Sequence, residues 1–273
     1  MIKIDGQEID VGRFPDGTML VKYVPQPHQK VGYAKLSWYY DNDGEFLALA
    51  YLVKHLRSHG VNDIYLYMPY IPNARQDRVK TPEDVFTLKY FAELLNSLNL
   101  TRIEVLDPHS SVSEALINNL HIISPRPYIE RVIEKIVPNL RKIHEPGCDL
   151  TMFYPDEGAM KRYSGMSDRP YAFGIKKRNW ATGQIEGLEV AGAVDQIAGR
   201  DILIVDDICS RGGTFYHSAK KLKELGANDI YLFVSHCENT ILEGDLLKGD
   251  LVKKVYSSNS IFTKNHEKIE VLK

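Results

Sequence analysis

The stretch DILIVDDICSRGGTFYHSAKKLKELGANDIYLFVS, residues 201–235, carries the signals of a parallel β-sheet protein. Asp201–Val205 is an apolar run bounded by charged residues, which is typical of a buried parallel strand. Thr214–Leu225 has a helical pattern and is followed by Gly226, a residue type that commonly ends helices. Asp229–Ser235 predicts the next strand. The stretch therefore predicts a strand–helix–strand unit with parallel strands.

The same alternation of β-rich runs and helical stretches continues along the chain. Strands are predicted at Lys30–Tyr40, Asp63–Met68, Arg102–Leu106, His121–Ser124, Leu150–Tyr154 and Pro170–Gly174. Helices are predicted at Glu45–His59, Glu83–Leu98, Val112–Asn119, Tyr128–Val137 and Glu157–Ser164. Asn139–Gly147 is predicted to be a polar connection and Trp180–Gly187 a loop. Repeated units of this kind predict an α/β fold with a mostly parallel sheet, and the pattern alone leaves one domain and two domains equally open.

Composition places the chain among ordinary globular proteins. It has 273 residues, 34 Lys plus Arg, 36 Asp plus Glu and a formal net charge of -2, which excludes a strongly basic nucleic-acid binder and an acidic disordered chain. Cys148, Cys209 and Cys237 are far apart, so neither a zinc site nor a disulfide framework is expected. The chain starts without a signal-peptide pattern and has no apolar run near the about 20 residues of a membrane helix. We expect a cytoplasmic protein with no membrane or nucleic-acid partner.

The residues after the strand at 201–205 have the chemistry of a sugar-phosphate site. Asp206 and Asp207 can accept hydrogen bonds from sugar hydroxyls or hold a hydrated Mg²⁺. Gly212 and Gly213 let the backbone approach a phosphate, and the helix that starts near Thr214 offers free N–H groups to an anion. The alternative is an ordinary strand–turn–helix with solvated acids and Thr214 as N-cap. The close spacing of acids, glycines and helix favours the functional interpretation.

This segment resembles the phosphoribosyl-pyrophosphate-binding motif of the type I phosphoribosyltransferase fold. Further segments narrow the resemblance to the phosphoribosyl pyrophosphate synthases (ribose-phosphate diphosphokinases), in the short form found in phages. They are Phe14–Gly17, which resembles Phe-x-Asp-Gly; Ala74–Arg78, which reads Ala-Arg-Gln-Asp-Arg; Asp107–Ser110, which resembles Asp-Leu-His with Pro108 for Leu; and Tyr154–Gly158, which resembles Pro-Asp-x-Gly. All these segments occur in the family's order.

The resemblance implies two tandem type I phosphoribosyltransferase-like domains, each a mostly parallel sheet flanked by helices. We expect an N-terminal domain at 1–125 with the ATP-binding loop and a C-terminal domain at 126–256 with the sugar-phosphate loop. The tail, 257–273, is a further candidate part of the first domain.

The resemblance also implies an activity. The β,γ-diphosphoryl group of Mg·ATP would move to the anomeric hydroxyl of ribose 5-phosphate and release AMP. Such an enzyme would serve nucleotide or NAD synthesis. In this family the adenine contacts come from a neighbouring subunit, so the resemblance implies a homo-oligomer, at least a dimer.

Carried over residue by residue, the resemblance gives four groups of site residues. The sugar-phosphate site would comprise Asp206, Asp207, Ser210, Arg211, Gly212, Gly213 and Thr214. The ATP site would comprise Phe14, Asp16, Arg75, Gln76 and His109. The catalytic residues would be Lys176, Arg178 and His109, and the Mg²⁺ ligands His109 and Asp156. Asp77 and Arg78 would brace the ATP loop, and Trp180–Gly183 would be a lid.

Departures from the family pattern leave alternatives open. The usual Asp-Thr-x-Gly-Thr loop is here Ser210-Arg211-Gly212-Gly213-Thr214, in which Ser210 can still donate a hydrogen bond. Arg211 would suit a second phosphate, so ADP-ribose is an alternative acceptor, as in short relatives associated with NAD salvage. Thr18 replaces a usual Glu, which weakens the adenine prediction. An inactive regulatory homologue and an ordinary phosphoribosyltransferase are further alternatives. They are disfavoured because the basic catalytic segment and the ATP segments are both present.

Overall fold

The chain is described here from a computed structural model, which covers residues 1–30, 32–137, 150–178 and 185–273. The described chain separates into two compact units, Met1–Ser124 and Pro125–Lys273. Each unit is built around its own large sheet. The predicted connection at Asn139–Gly147 and the predicted lid at Trp180–Gly183 lie outside the described residues.

The first unit begins with short strands and continues with alternating strands and helices. Its elements are β1 (Ile2–Ile4), β2 (Gln7–Glu8), β3 (Val11–Arg13), β4 (Met19–Val21), α1 (Pro27–Lys30), β5 (Tyr33–Trp38), α2 (Gly44–Ser58), β6 (Asp63–Tyr67), α3 (Thr87–Asn96), β7 (Arg102–Leu106), α4 (Val112–Leu116) and β8 (Leu120–Ile123). The main sheet has the order β2-β1-β5-β6-β7-β8, and β3 pairs with β4 in a separate hairpin. The pairs from β5 to β8 are parallel, whereas β1 is antiparallel to both of its neighbours.

Aromatic packing joins α2 and α3 to the sheet of the first unit. The ring of Trp38, on β5, lies 6.0 Å from Phe46 of α2 and 6.3 Å from Phe91 of α3. Burial alternates along β5, where Ala34, Leu36 and Trp38 are buried. This period of two is that of a strand with one face against the core.

The second unit is built around a seven-stranded sheet. Its elements are α5 (Arg126–Ile136), β9 (Leu150–Tyr154), α6 (Glu157–Tyr163), β10 (Tyr171–Arg178), β11 (Ile185–Gly192), β12 (Asp201–Cys209), α7 (Gly213–Glu224), β13 (Ile230–Cys237), β14 (Lys254–Ser258) and β15 (Ile269–Leu272). The sheet order is β11-β10-β9-β12-β13-β14-β15, and all pairs are parallel except β10 with β11. Every residue of β9 and β13 is buried, as expected of central strands covered on both faces.

The predicted α/β fold with mostly parallel sheets is confirmed, with three local differences. β12 does not end at Val205 but continues through the acid pair to Cys209, because β13 extends alongside it and pairs Cys237 with Cys209. The loop predicted at Trp180–Gly187 ends earlier than expected, because Ile185 begins β11, which pairs antiparallel with β10.

In the described part of the chain, no helix is long and apolar enough to cross a bilayer.

The third difference concerns the tail, for which membership in the first domain was a candidate. In the structure Ile269–Leu272 forms β15 and pairs with β14 in the sheet of the second unit. Arg131 of α5 also donates a hydrogen bond to the carbonyl of Lys273, at 2.6 Å. The tail is therefore an integral part of the second unit.

Candidate active site

Ser210–Gly213, called the phosphate loop below, connects β12 to α7 in the second unit. Gly212 is the N-cap of α7 and has φ 77°, a left-handed conformation that favours glycine. A Cβ atom at Gly212 would also lie 2.9 Å from the Cδ2 atom of Leu246. The N-cap is thus Gly212 and not Thr214, which lies inside the first turn of α7. The loop delivers the N-terminus of a twelve-residue helix to the carboxyl end of the sheet, the geometry that binds anions.

The acid pair lies on the last part of β12, just before the phosphate loop. Asp207 is buried, and its Oδ2 atom lies 3.5 Å from the Nη1 atom of Arg162 on α6. Its Oδ1 atom accepts a hydrogen bond from the backbone N–H of Ile208, at 2.8 Å. Asp206 accepts one from the N–H of Asp207, at 3.0 Å. Because neighbouring strand residues project to opposite faces, the two carboxylates have different surroundings.

Burial raises the pKa of the Asp206 carboxyl group well above its ordinary value, and the charges of Asp207 and Asp156 raise it further. Asp156 is the N-cap of α6, and its carboxylate accepts a hydrogen bond from the N–H of Ala159 at 3.1 Å. Three carboxylates therefore influence one another at the carboxyl ends of β9 and β12, where parallel sheets bind ligands.

We expect Asp206→Asn to raise the melting temperature of the protein at pH 7 while lowering its activity. Because the pKa of Asp206 is raised in the folded state, its contribution favours folding at low pH and is lost as the pH rises above the ordinary Asp value of about 4. The amide of Asn does not ionise, so Asp206→Asn does not lose stability in this way. The gain in melting temperature should therefore shrink from pH 7 towards pH 4.5, as measured by thermal denaturation without Mg²⁺. Asp245→Asn, at an exposed carboxylate, is the control. An unchanged or lower melting temperature at pH 7 would refute the expectation.

The donor set of the second unit suits Mg²⁺. Among the residues that the structure describes, no group of three or more His, Cys, Asp or Glu side chains is arranged to hold a metal ion. Mg²⁺ does not need such a group, because it is usually held by one or two carboxylates together with waters and substrate phosphates. The charges of Asp156 and Asp207 raise the pKa of Asp206, and a cation beside these carboxylates would offset their mutual repulsion. His109, the other predicted ligand, belongs to the first unit.

Two glutamates of the segment that follows β13 interact with the side chains of Ser210 and Arg211. The Ser210 hydroxyl donates a hydrogen bond to Oε2 of Glu238. The Arg211 guanidinium lies 3.2 Å from Oε2 of Glu243, and both of these side chains are exposed. An exposed ion pair contributes little to stability, so a ligand phosphate could replace Glu243 at low cost.

In the first unit, the predicted ATP loop is braced by Asp77. Arg78 donates to both carboxylate oxygens of Asp77, at 2.6 and 2.8 Å. These bonds, with a further one from Ser110 and the nearby charge of His109, hold the pKa of Asp77 well below its usual range. The Thr87 hydroxyl, at the start of α3, donates to Oε1 of Gln76 at 2.9 Å.

The loops after β6 and β7 meet at the same edge of the first sheet. The N–H of Leu106 donates to the carbonyl of Pro69, at 3.1 Å. Asp107 is buried with φ 44°, and the exposed His109 follows it. Since His109 and Ser110 both act on Asp77, the structure brings together the Ala-Arg-Gln-Asp-Arg and Asp-Pro-His-Ser segments. Arg75 and Gln76 are exposed at this edge.

Phe14 and Asp16 lie in the turn between β3 and β4. Phe14 is 49% exposed, so its ring is available to a ligand or another chain. Oδ1 of Asp16 accepts hydrogen bonds from the hydroxyl of Thr18 at 2.7 Å and from its N–H at 3.0 Å, which lower the pKa of Asp16. Thr18 thus shapes the turn that presents both residues.

The structure places Lys176 and Arg178 two residues apart on β10, opposite Leu188 and Ile185 of β11. The residues that sequence analysis missed are Arg162, Glu238, Glu243 and Gly244. Of these, Glu238 could have been suspected from its position, because it directly follows a strand at the carboxyl edge of the sheet.

Comparisons with known proteins agree on one family. Residues 1–98 match the family described as the N-terminal domain of ribose phosphate pyrophosphokinase. The chain is 24% identical over 227 residues to ribose-phosphate pyrophosphokinase of Saccharolobus solfataricus, which covers 82% of this chain and 74% of that protein. It is 29% identical over 221 residues to the protein of the same name from Listeria ivanovii, covering 79% and 65%. The latter match thus spans less than two thirds of the relative.

The fold agrees with a solved structure over nearly the whole chain. The crystal structure of phosphoribosylpyrophosphate synthetase from Mycobacterium smegmatis superposes with a TM-score of 0.75 at 19% identity, over 97% of this chain and 85% of that one. This similarity confirms the prediction of two phosphoribosyltransferase-like domains. Taken with the matching N-terminal segment and the curated relatives, it supports the resemblance of the chain to the phosphoribosyl pyrophosphate synthase (ribose-phosphate pyrophosphokinase) family.

Proposed function

We propose that the chain transfers the β,γ-diphosphoryl group of Mg·ATP to the anomeric hydroxyl of ribose 5-phosphate, giving phosphoribosyl pyrophosphate and AMP. The hydroxyl oxygen forms a bond to the β-phosphorus, the bond from that phosphorus to the α,β-bridging oxygen breaks, and the hydroxyl proton is released. The observation that carries the proposal is the phosphate loop at the N-terminus of α7, directly after two carboxylates, in a chain similar to the ribose-phosphate pyrophosphokinases.

The second unit provides the acceptor site in this proposal. The 5-phosphate binds the N–H groups of the phosphate loop and Thr214, and Gly212 gives the loop the conformation that exposes them. Asp206 and Asp207 accept hydrogen bonds from the ribose hydroxyls. Arg162 holds Asp207 in place for this contact, at 3.5 Å.

The first unit provides the ATP contacts. Arg75 pairs with triphosphate oxygens, a contact for which a guanidinium is suited. Gln76 and His109 lie at the same sheet edge and line the triphosphate. Phe14 stacks on adenine and Asp16 accepts from its amino group, both reaching the site from a neighbouring chain, so the active form is a homo-oligomer, at least a dimer.

Charge neutralisation provides the catalysis, as in other phosphoryl transfers. Lys176 and Arg178 stabilise charge on the transferring group and on the AMP leaving oxygen. Bound Mg²⁺, held by Asp156 and His109 together with substrate oxygens, would neutralise further charge on the diphosphoryl group. We place the enzyme in the cytoplasm, in nucleotide or NAD synthesis.

A second candidate acceptor is ADP-ribose, in an NAD-salvage reaction that yields ADP-ribose pyrophosphate. The exposed Arg211–Glu243 pair supports it, because Arg211 can exchange Glu243 for a second phosphate. A regulatory homologue without activity is a lesser alternative.

Mass spectrometry of products separates these candidates. The protein is incubated with Mg·ATP and either ribose 5-phosphate or ADP-ribose. We expect AMP and a ribose 5-phosphate product that is heavier by one diphosphoryl group. A product from ADP-ribose alone would replace the proposed acceptor, and the absence of acceptor-dependent AMP in both reactions would indicate an inactive homologue.

A further inference from the structure

Glu238 lies beside the first residue of the phosphate loop, at the end of the neighbouring strand β13. Oε2 of Glu238 accepts a hydrogen bond from the Ser210 hydroxyl and another from the Thr240 hydroxyl, the latter at 3.0 Å. The backbone N–H of Glu238 donates to the carbonyl of Cys209, at 2.8 Å. The backbone of Glu238 is therefore held against β12, and its carboxylate is held against the phosphate loop.

The segment after Glu238 packs tightly against the phosphate loop. A Cβ atom at Gly244 would lie 1.9 Å from the carbonyl oxygen of Arg211. Leu246 lies against Gly212, where an added Cβ would come within 2.9 Å of it. One close backbone approach and one side-chain contact thus hold this segment against the phosphate loop, and the Ser210–Glu238 hydrogen bond is part of that packing.

This contact decides what Ser210 can offer a ligand. A hydroxyl has one hydrogen and two lone pairs, whereas a carboxylate oxygen only accepts. Because the Ser210 hydrogen points to Glu238, the Ser210 oxygen presents lone pairs elsewhere. A phosphate oxygen is also an acceptor and finds no donor there, but a sugar hydroxyl does donate.

We infer that Glu238 is a positioning residue that makes Ser210 an acceptor for a hydroxyl group of the acceptor sugar, leaving the phosphate to the backbone N–H groups of the loop. This inference rests on the proposed function, since it refines how the same site binds ribose 5-phosphate. The Ser210–Glu238 pair would then account for part of the preference for ribose 5-phosphate over inorganic phosphate.

Isothermal titration calorimetry with two probes tests the inference. Ribose 5-phosphate and inorganic phosphate are each titrated into the wild-type protein, Ser210→Ala, Glu238→Ala and the double variant. We expect the Kd of ribose 5-phosphate to rise roughly tenfold in each single variant, the loss of about one hydrogen bond, and no further in the double variant. The Kd of inorganic phosphate should stay within about twofold.

Two further variants serve as controls. Glu238→Gln keeps an oxygen that accepts from Ser210, so its Kd for ribose 5-phosphate should remain near the wild-type value. Asp245→Asn removes an exposed carboxylate of the same segment and should change neither Kd. Loss of the Glu238 charge would act on both anions alike, so it does not account for a change in Kd that is confined to ribose 5-phosphate.

The inference is overturned if both probes weaken equally, if neither weakens, or if Glu238→Gln loses as much affinity as Glu238→Ala. Failure of the wild-type protein to bind ribose 5-phosphate would overturn the inference together with the proposed function. Binding of ribose 5-phosphate without turnover would overturn the proposed function alone.

Discussion

Replacing Lys176 or Arg178 by Ala should lower kcat by roughly 10²- to 10³-fold, the usual loss when one group that stabilises transition-state charge is removed. Both residues lie on β10 and are two positions apart. We expect the folded state to change little in either variant. Steady-state kinetics with Mg·ATP and ribose 5-phosphate measures kcat, and thermal denaturation checks the fold.

Lys177→Ala is the matched control for these two variants. It removes an equal charge from the same strand, at the intervening position. We expect Lys177→Ala to retain at least about half of the wild-type kcat, within the factor of two to three that context allows for such effects. Near-normal kcat in both Lys176→Ala and Arg178→Ala would remove the segment from the catalytic machinery.

Gly244→Ala should reduce kcat/KM for ribose 5-phosphate by roughly 10²-fold, because a displacement of about 1 Å at a reacting site has that effect. Gly244 has φ -87°, which Ala adopts without strain. The cost comes from the added Cβ atom, which would lie 1.9 Å from the Arg211 carbonyl oxygen and must push the phosphate loop away. KM for ATP should stay close to the wild-type value, since the first unit provides the ATP contacts.

Gly165→Ala is the control for Gly244→Ala. An added Cβ atom at Gly165 meets nothing within 4 Å, so activity and stability should be unchanged. If Gly244→Ala bound ribose 5-phosphate as tightly as the wild-type protein, the phosphate loop would not depend on the segment that packs behind it.

Elements with strong apolar runs could be predicted from the sequence, and elements whose polar residues are satisfied by distant partners could not. β9 and β13 are continuous apolar runs because both of their faces are covered. β14 contains the buried Ser257 and Ser258, and the hydroxyl of Ser258 donates to the carbonyl of Ser235. That partner is 23 positions away, so the local pattern of β14 does not resemble a strand. β11, with Gly187 and Gly192, was missed because glycine weakens the signal of a strand.

The candidate site likewise combines features that the local sequence predicts with features that depend on distant residues. The position of the phosphate loop follows from local signals, namely an apolar strand, paired glycines and a helix. Its side-chain chemistry depends on long-range contacts: Ser210 with Glu238 is 28 positions apart, and Asp207 with Arg162 is 45 apart. Asp77 and Arg78 are adjacent in sequence, and their bracing role could be predicted.

Phosphorus-31 NMR of a reaction that contains Mg·ATP and ribose 5-phosphate would show directly whether the diphosphoryl group is transferred. We expect AMP and a diphosphate ester at the anomeric carbon to form in equal amounts, with no ADP, because the β,γ-diphosphoryl group moves as a unit. Formation of ADP with a monophosphate ester, or hydrolysis of ATP that does not depend on ribose 5-phosphate, would contradict this expectation.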